Sequence, residues 1–305
     1  MILRTHAPTM GRTDRLDRVW QRSLAFLELT KPRIVSLVLI TTCVGFYLAS
    51  LGVADYRLLL HTLLGTALAA GGTLALNQVL EREADAKMRR TQLRPLPDGR
   101  VQPVEAFVFG TLVTVAGLVY LAWTVNLASA AVTTAIVVSY LGVYTPLKKT
   151  TSLCTLIGAV PGALPPVIGW AAVRGSIDLE AWILFAIMFL WQMPHSLAIA
   201  WLYRDDYARA GFQLLPVISP DGKSTGRQVT SHCLALLAVG LLPTLVGLAG
   251  PVYFCAAFGL GSMFLWYSVR LALARSSESA RRLLFASLIY LPLLLAVMAF
   301  DKVPL

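Results

Sequence analysis

Nine apolar stretches of near-membrane length run through this chain, near residues 34–51, 58–80, 104–123, 126–145, 153–173, 180–201, 230–249, 251–269 and 283–300. A hydrocarbon core about 30 Å thick is crossed by about 20 helical residues. Backbone polar groups inside lipid must find partners within their own segment or a closed sheet. These stretches should be helices. The sequence therefore predicts an all-α polytopic membrane protein of nine transmembrane helices. Residues 1–33 read as a cytoplasmic N-terminal segment, 34–300 as one intramembrane domain, and 301–305 as a short C-terminal tail. A charged fraction of 14% against 57% hydrophobic residues leaves no room for a separate soluble domain.

The net charge of +10 invites a nucleic-acid partner, and its distribution argues against one. With the N-terminus in the cytoplasm and nine alternating spans, only Arg57, Arg174 and Lys302 of the 26 Lys and Arg fall outside. That asymmetry is the positive-inside pattern. Most of the basic charge then serves topology and contact with anionic membrane lipid. The segment before residue 34 is Arg-rich, contains acids and lacks an apolar core. It does not read as a secretory signal; a short organellar transit peptide is the weaker alternative, which favours a bacterial inner membrane. Cys43, Cys154, Cys233 and Cys255 fall in or near spans at no metal or disulfide spacing, and read as small buried hydrophobes.

Chemistry concentrates in the segments between spans that this topology places on the cytoplasmic side. Asn77, Glu81 and Asp85 recur every fourth residue at the end of the second span. On a helix they form one stripe drifting about 40° per step. Lys87, Arg90 and Arg94 follow at once, and Lys148 and Lys149 lie after the Tyr144-Thr145-Pro146 turn. Oxygen donors beside clustered cations, next to hydrocarbon, outline a receptor for Mg²⁺ and a diphosphate. A solvated helix end with i,i+4 ion pairs such as Asp85–Arg89 is the plainer reading. It accounts for the charges but not for the amide of Asn77 at the end of an apolar span. Glu83 falls on the opposite side of the stripe.

The sixth span carries Trp191-Gln192-Met193-Pro194-His195, where the proline can kink the helix. If that helix continues, His195, Ile199, Leu202 and Asp206 share a face, and His195 becomes a substrate contact. Arg204-Asp205-Asp206-Tyr207 closes the span. Two adjacent acids cannot both face one cleft, so one is expected to serve a metal or its water shell and the other an arginine. Gly158, Pro161, Gly162, Pro165 and Pro166 interrupt the fifth span, which suits a cavity wall better than a lipid-facing helix.

Asn77-xxx-Glu81-xxx-Asp85 with Lys87-Met-Arg-Arg-Thr91-xx-Arg94-Pro95-Leu96-Pro97 resembles the first signature of the UbiA-type intramembrane prenyltransferases. Thr30-Lys31-Pro32-Arg33, Tyr144 through Lys149, the Gly158–Trp170 run and Trp191 through Pro216 resemble the haem-farnesylating branch of that family. The resemblance covers about residues 26–300. It implies nine helices around a central cavity and Mg²⁺ as cofactor. It implies transfer of the farnesyl group of farnesyl diphosphate to a vinyl carbon of haem B, with water adding to the product. Asn77, Glu81 and Asp85 would bind the metal, with Arg94 and Lys148 beside them in catalysis. Lys87, Arg90, Lys149, Arg33, His195, Arg204, Asp205, Asp206 and Tyr207 would bind substrate. A downstream haem-modifying enzyme is a further expected partner. Two departures stand out: the second spaced acidic pair of quinone-forming relatives is absent, and Cys154 stands where asparagine is usual. The competing acceptor is a quinone precursor or another aromatic compound.

Overall fold

Proline, asparagine and aspartate punctuate the apolar runs, and the helices begin where the oxygens of Asn and Asp can accept from the first free N–H groups or where proline leaves no N–H to satisfy. The computed structural model describes residues 12–303, with side chains described from residue 20. Residues 1–11 of the expected N-terminal segment and 304–305 of the tail lie outside the described residues. Helix α1 (Arg12–Leu29) precedes the first span, α2 (Pro32–Ala49). Then come α3 (Tyr56–Lys87), α4 (Pro103–Thr124) and α5 (Leu127–Val138), which runs through a π-helical turn at Ser139–Tyr144 into α6 (Thr145–Leu147). The fifth span is two helices, α7 (Cys154–Ala163) and α8 (Pro165–Arg174); the sixth is α9 (Leu179–Leu202). Short helices α10 (Arg204–Arg209) and α11 (Leu215–Ile218) lead to α12 (Lys223–Val239) and α13 (Leu242–Leu245). Helices α14 (Pro251–Ala274) and α15 (Ser277–Phe300) complete nine candidate membrane spans among the described residues. The Asp55 carboxylate accepts from the N–H groups of Arg57 and Leu58, Asn126 caps α5 through Ser129, and Ser276 caps α15 through Ser279.

Three spans differ from their sequence outlines in ways that shape the site. Helix α3 is one piece of 32 residues, about 48 Å long, and outruns a hydrocarbon core of about 30 Å. Its last turns carry Asn77, Glu81 and Asp85. Helix α9 runs unbroken through Pro194 and stops at Leu202, where Tyr203 leaves helical geometry at φ −112°, ψ 22°. Asp206 therefore sits on a separate helix, and the single His195-to-Asp206 face expected of a continuous helix does not form. In the fourth span, Pro146 has no N–H to give, and the N–H of Thr145 bonds to the carbonyl of Tyr140 five residues back. The resulting π-turn re-aims the side chains of residues 140–148.

Close packing depends on residues without side chains. A Cβ on Gly169 would lie 2.0 Å from the carbonyl oxygen of Thr42, and one on Gly45 2.0 Å from that of Pro166. Helices α2 and α8 thus touch backbone to backbone. On the α3–α4 contact, a Cβ on Gly117 would lie 2.4 Å from the Ala69 nitrogen. Such residues let helices approach where lipid offers no hydrophobic drive. At the far face from the site, Lys302 donates to the carbonyls of Tyr47 and Ser50 at 2.7 and 2.6 Å, and Asp301 accepts from the Tyr253 N–H at 2.7 Å. These bonds tie the end of the ninth span to the first and eighth. Large apolar residues such as Trp123, Leu127 and Phe258 stand exposed on the outside, where lipid would cover them.

Gly169→Val is expected to destabilise the detergent-solubilised protein by about 2 kcal/mol or more, read as a lower thermal midpoint. Gly259→Val, where a Cβ meets nothing within 4 Å, should leave the midpoint unchanged or raise it.

Candidate active site

The long α3 helix brings its oxygen donors to one buried stripe: Asn77 and Asp85 are 1% exposed and Glu81 is 7%. Charge in such a place requires a contact partner, and each of the three has its own. Arg94 folds back from the loop after α3 and donates Nη1 to both Asp85 oxygens, at 2.8 and 2.7 Å. The turn that delivers it is closed by the Thr91 hydroxyl, which donates to the Asp85 carbonyl at 2.8 Å. Lys148, presented by the π-turn, donates to Glu81 Oε1 at 2.6 Å, and its Nζ lies 4.3 Å from the centre of the Tyr144 ring. Lys31 donates to Asn77 Oδ1 at 3.2 Å, while the other end of that amide donates to the Thr145 hydroxyl at 3.2 Å.

Lys31 lies between α1 and α2 in left-handed geometry, φ 50° and ψ 65°. Pro32 opens α2 directly after it, which blocks a helical path from one helix into the next. This unfavourable conformation turns the lysine inward over Asn77. Burial first, and then the nearby Arg94 guanidinium, pull its ammonium down to about 7. Arg33, two residues on, is exposed. From the motif Thr30–Arg33 it is thus Lys31 that reaches the stripe. The signal was available: a proline at the first helical position fixes the preceding residue at the mouth of the bundle.

A cavity of about 400 Å³ runs into the bundle beside the stripe: Thr73, one turn before Asn77 on α3, and Tyr144, under Lys148, line it, whereas Asn77, Glu81 and Asp85 themselves do not. Its wall is apolar (Ile34, Val38, Leu74, Ile136, Val137, Ile168), with polar groups at Thr73, Tyr140, Tyr144, Gln192 and Ser196. Arg90 and Tyr207 line its mouth: the guanidinium donates to the phenol oxygen at 2.5 Å and lies 5.1 Å from the Tyr203 and Tyr207 ring centres. The broken fifth span contributes Gly158, Pro161, Gly162 and Pro165 to the wall. The carbonyl of Ala159, near that break, accepts from Gln192 Nε2 at 2.7 Å.

The remaining sequence candidates sit further out. Lys87 and Lys149 are exposed, as is Glu83 beside Arg82. Asp205 is 88% exposed, whereas Asp206 is 12% exposed and paired with Arg209. Arg204 lies over the Trp201 ring. His195 is not part of the cavity wall. It stacks on Trp191 and its Nδ1 lies 2.8 Å from the Ser287 hydroxyl on α15. That hydroxyl already donates to the Leu284 carbonyl at 2.6 Å, so Nδ1 is the donor to Ser287. Residues 192 and 196, flanking His195, are the ones that face the cavity.

The donor set suits a hard divalent cation. Among the described residues no group of three His, Cys, Asp or Glu converges. Two carboxylates and an amide, all oxygen donors, match Mg²⁺ held jointly by protein and substrate phosphates. Arg90, Arg94 and Lys148 outnumber the two acids even where Lys31 is neutral, so the site retains positive charge for an anion. Arg94→Met is expected to cost about 3 kcal/mol of stability by leaving the Asp85 carboxylate buried and unpaired. Glu83→Gln should change stability by less than about 0.5 kcal/mol, both variants being read as shifts of the thermal midpoint.

Known proteins share both the sequence and this architecture. The model of the UbiA prenyltransferase family matches residues 38–289. A protoheme IX farnesyltransferase of Solibacter usitatus is 48% identical over 286 residues, covering 91% of this chain and 98% of the relative. The protoheme IX farnesyltransferase of Koribacter versatilis is 46% identical over 290 residues, covering 91% and 93%. Among solved structures, one described as a digeranylgeranylglyceryl phosphate synthase superposes with a TM-score of 0.79 at 17% identity, covering 92% of this chain and 98% of that one. A UbiA homologue of Archaeoglobus fulgidus bound to GPP and Mg²⁺ superposes with a TM-score of 0.61 at 14% identity, covering 90% and 99%. With nine spans, a buried acid-and-amide stripe and this depth of sequence identity, the chain belongs to the UbiA prenyltransferase family.

Proposed function

We propose that this protein transfers the farnesyl group of farnesyl diphosphate to a vinyl group of haem B, forming haem O and releasing diphosphate. The single observation that carries the reading is the stripe Asn77–Glu81–Asp85 paired with Lys31, Arg94 and Lys148, one helical turn from an apolar cavity that Thr73, Arg90 and Tyr144 line. Names of relatives at 43–48% identity over nearly the whole chain support the acceptor.

In this reading Asn77, Glu81 and Asp85 hold Mg²⁺, which when bound lends positive charge to the diphosphate oxygens. Arg94 and Lys148 lie where their N–H groups can turn from carboxylate to phosphate oxygens. Lys31 and Arg90 add charge from either side. Cleavage of the allylic C–O bond moves its electron pair onto the departing diphosphate, and cations fixed in advance stabilise that charge without reorganising. The isoprenoid tail lies along Ile34, Val38, Leu74 and Ile136, out of contact with bulk water, which protects the allylic cation. The haem vinyl π electrons form the new carbon–carbon bond, and water then adds to the resulting benzylic-type cation with loss of a proton. Gln192 and Ser196 are the polar groups placed to orient the acceptor. His195 holds α9 against α15 rather than touching substrate. The protein works in a bacterial inner membrane with the site toward the cytoplasm, and its product passes to a haem-modifying enzyme.

Purified protein given farnesyl diphosphate, haem B and Mg²⁺ is expected to yield a porphyrin heavier by one farnesyl group and one hydroxyl group, detected by mass spectrometry. A product with a hydroxybenzoate acceptor and none with haem would overturn the assignment. Asp85→Asn should lower turnover by about 100-fold at saturating Mg²⁺. Lys31→Met should raise the KM for farnesyl diphosphate by about tenfold, the worth of one charge-assisted bond, whereas Arg33→Gln should leave it within about twofold. Equal effects at residues 31 and 33 would remove Lys31 from the site.

A further inference from the structure

Arg270 and Arg282 line one small cavity between α14 and α15, together with Trp266, Tyr267 and Ser279. It lies on the same face of the bundle as the candidate active site, because α9 and α14 both end there and α15 begins there. Its volume is about 150 Å³. Water takes up about 30 Å³ per molecule, so the space holds a group of several heavy atoms.

The charges in this cavity do not balance. Glu278 pairs with Arg282 one turn away on α15. Arg270 sits four residues inside the end of α14, about 6 Å from it, and α14 contains no acidic residue. No described side chain pairs with Arg270. Two guanidinium groups thus converge on one space, and the one carboxylate paired with either of them, Glu278, does not line it. An arginine this close to hydrocarbon ordinarily has a counter-charge. The surroundings specify where that charge comes from. Trp266 is 61% exposed and sits one turn deeper than Arg270 on the same stripe of α14, the position of an interfacial anchor. On α15, Arg282, Phe285 and Ile289 repeat at helical spacing on one stripe, with Phe285 and Ile289 59% and 52% exposed. That stripe leads from the charged cavity toward the bilayer centre. A headgroup at the arginines would have its acyl chain lying on Phe285 and Ile289.

We infer that the α14–α15 cavity binds the phosphate of an anionic glycerophospholipid, with Arg270 and Arg282 on the headgroup and the Phe285–Ile289 stripe under one acyl chain. The site is separate from the acid-and-amide stripe of α3 and does not depend on the prenyl-transfer reading. Lipid rather than free phosphate is the expected source, because a soluble anion makes no use of the apolar stripe.

The full-length protein in neutral detergent would be examined by native mass spectrometry while titrated with phosphatidylglycerol or phosphatidylcholine. The wild type is expected to retain phosphatidylglycerol in preference to phosphatidylcholine. Arg270→Gln and Arg282→Gln should each weaken retention about fivefold, the worth of one basic residue at an anionic surface. Arg281→Gln removes an exposed neighbour that does not line the cavity, and should retain lipid as the wild type does. Equal retention of the two lipids would overturn the proposal. So would wild-type retention in both cavity variants, or an equal loss in Arg281→Gln. A thermal-shift arm with inorganic phosphate decides the source. Stabilisation by phosphate matching that by phosphatidylglycerol would contradict a lipid site. Each variant's own thermal midpoint without lipid shows that it is folded, and correctly folded variants with unchanged binding count against the inference.

Discussion

A carboxylate removed from water beside hydrocarbon stays charged only with a cation at contact distance, and the site end of this protein is arranged around that requirement. Asp85 has Arg94, Glu81 has Lys148, and the amide of Asn77 has Lys31. The three cations come from three different parts of the chain: the loop after α3, the end of the fourth span, and the break between α1 and α2. Each pairing therefore fixes where a separate segment lies over the mouth of the cavity. The same donors and cations are the groups that a metal-bound diphosphate needs. Under the proposed function, folding and chemistry would draw on one set of contacts.

The deviations from regular helix serve this arrangement. The π-turn at Ser139–Tyr144 follows from the missing N–H of Pro146 and swings Lys148 and Tyr144 toward Glu81. The left-handed Lys31 follows from Pro32 and directs one lysine inward while Arg33 stays outside. The break at Leu164 between α7 and α8 opens the wall that Gln192 crosses. Glycines at 45, 72, 117 and 169 let the surrounding spans close tightly enough to hold these irregular segments in place.

Much of this was legible before any coordinates. Apolar length gave nine spans, and spacing of four placed Asn77, Glu81 and Asp85 on one stripe, because both signals are local and periodic. Arg94 and Lys148 stood in the right segments, but their partners lie across tertiary contacts that no spacing encodes. The sixth span misled for a local reason. A helical phase that runs from His195 to Asp206 crosses a break at Tyr203 that no glycine or proline announces. Within the span, a step of one residue separates His195 from Ser196, and that step decides which of them faces the cavity. Lys31 was visible as part of a motif. Its backbone turn, a consequence of the neighbouring proline, is what singles it out from Arg33.

The account stands on a divalent ion held jointly by the α3 stripe and the diphosphate. The direct measurement is electron paramagnetic resonance of Mn²⁺ bound to the protein with a non-ionisable farnesyl diphosphate analogue whose phosphate oxygens carry ¹⁷O. Broadening of the Mn²⁺ lines by the labelled phosphates in the wild type, lost in Glu81→Gln, is the predicted result. Unbroadened lines, or broadening that survives that substitution undiminished, would contradict it.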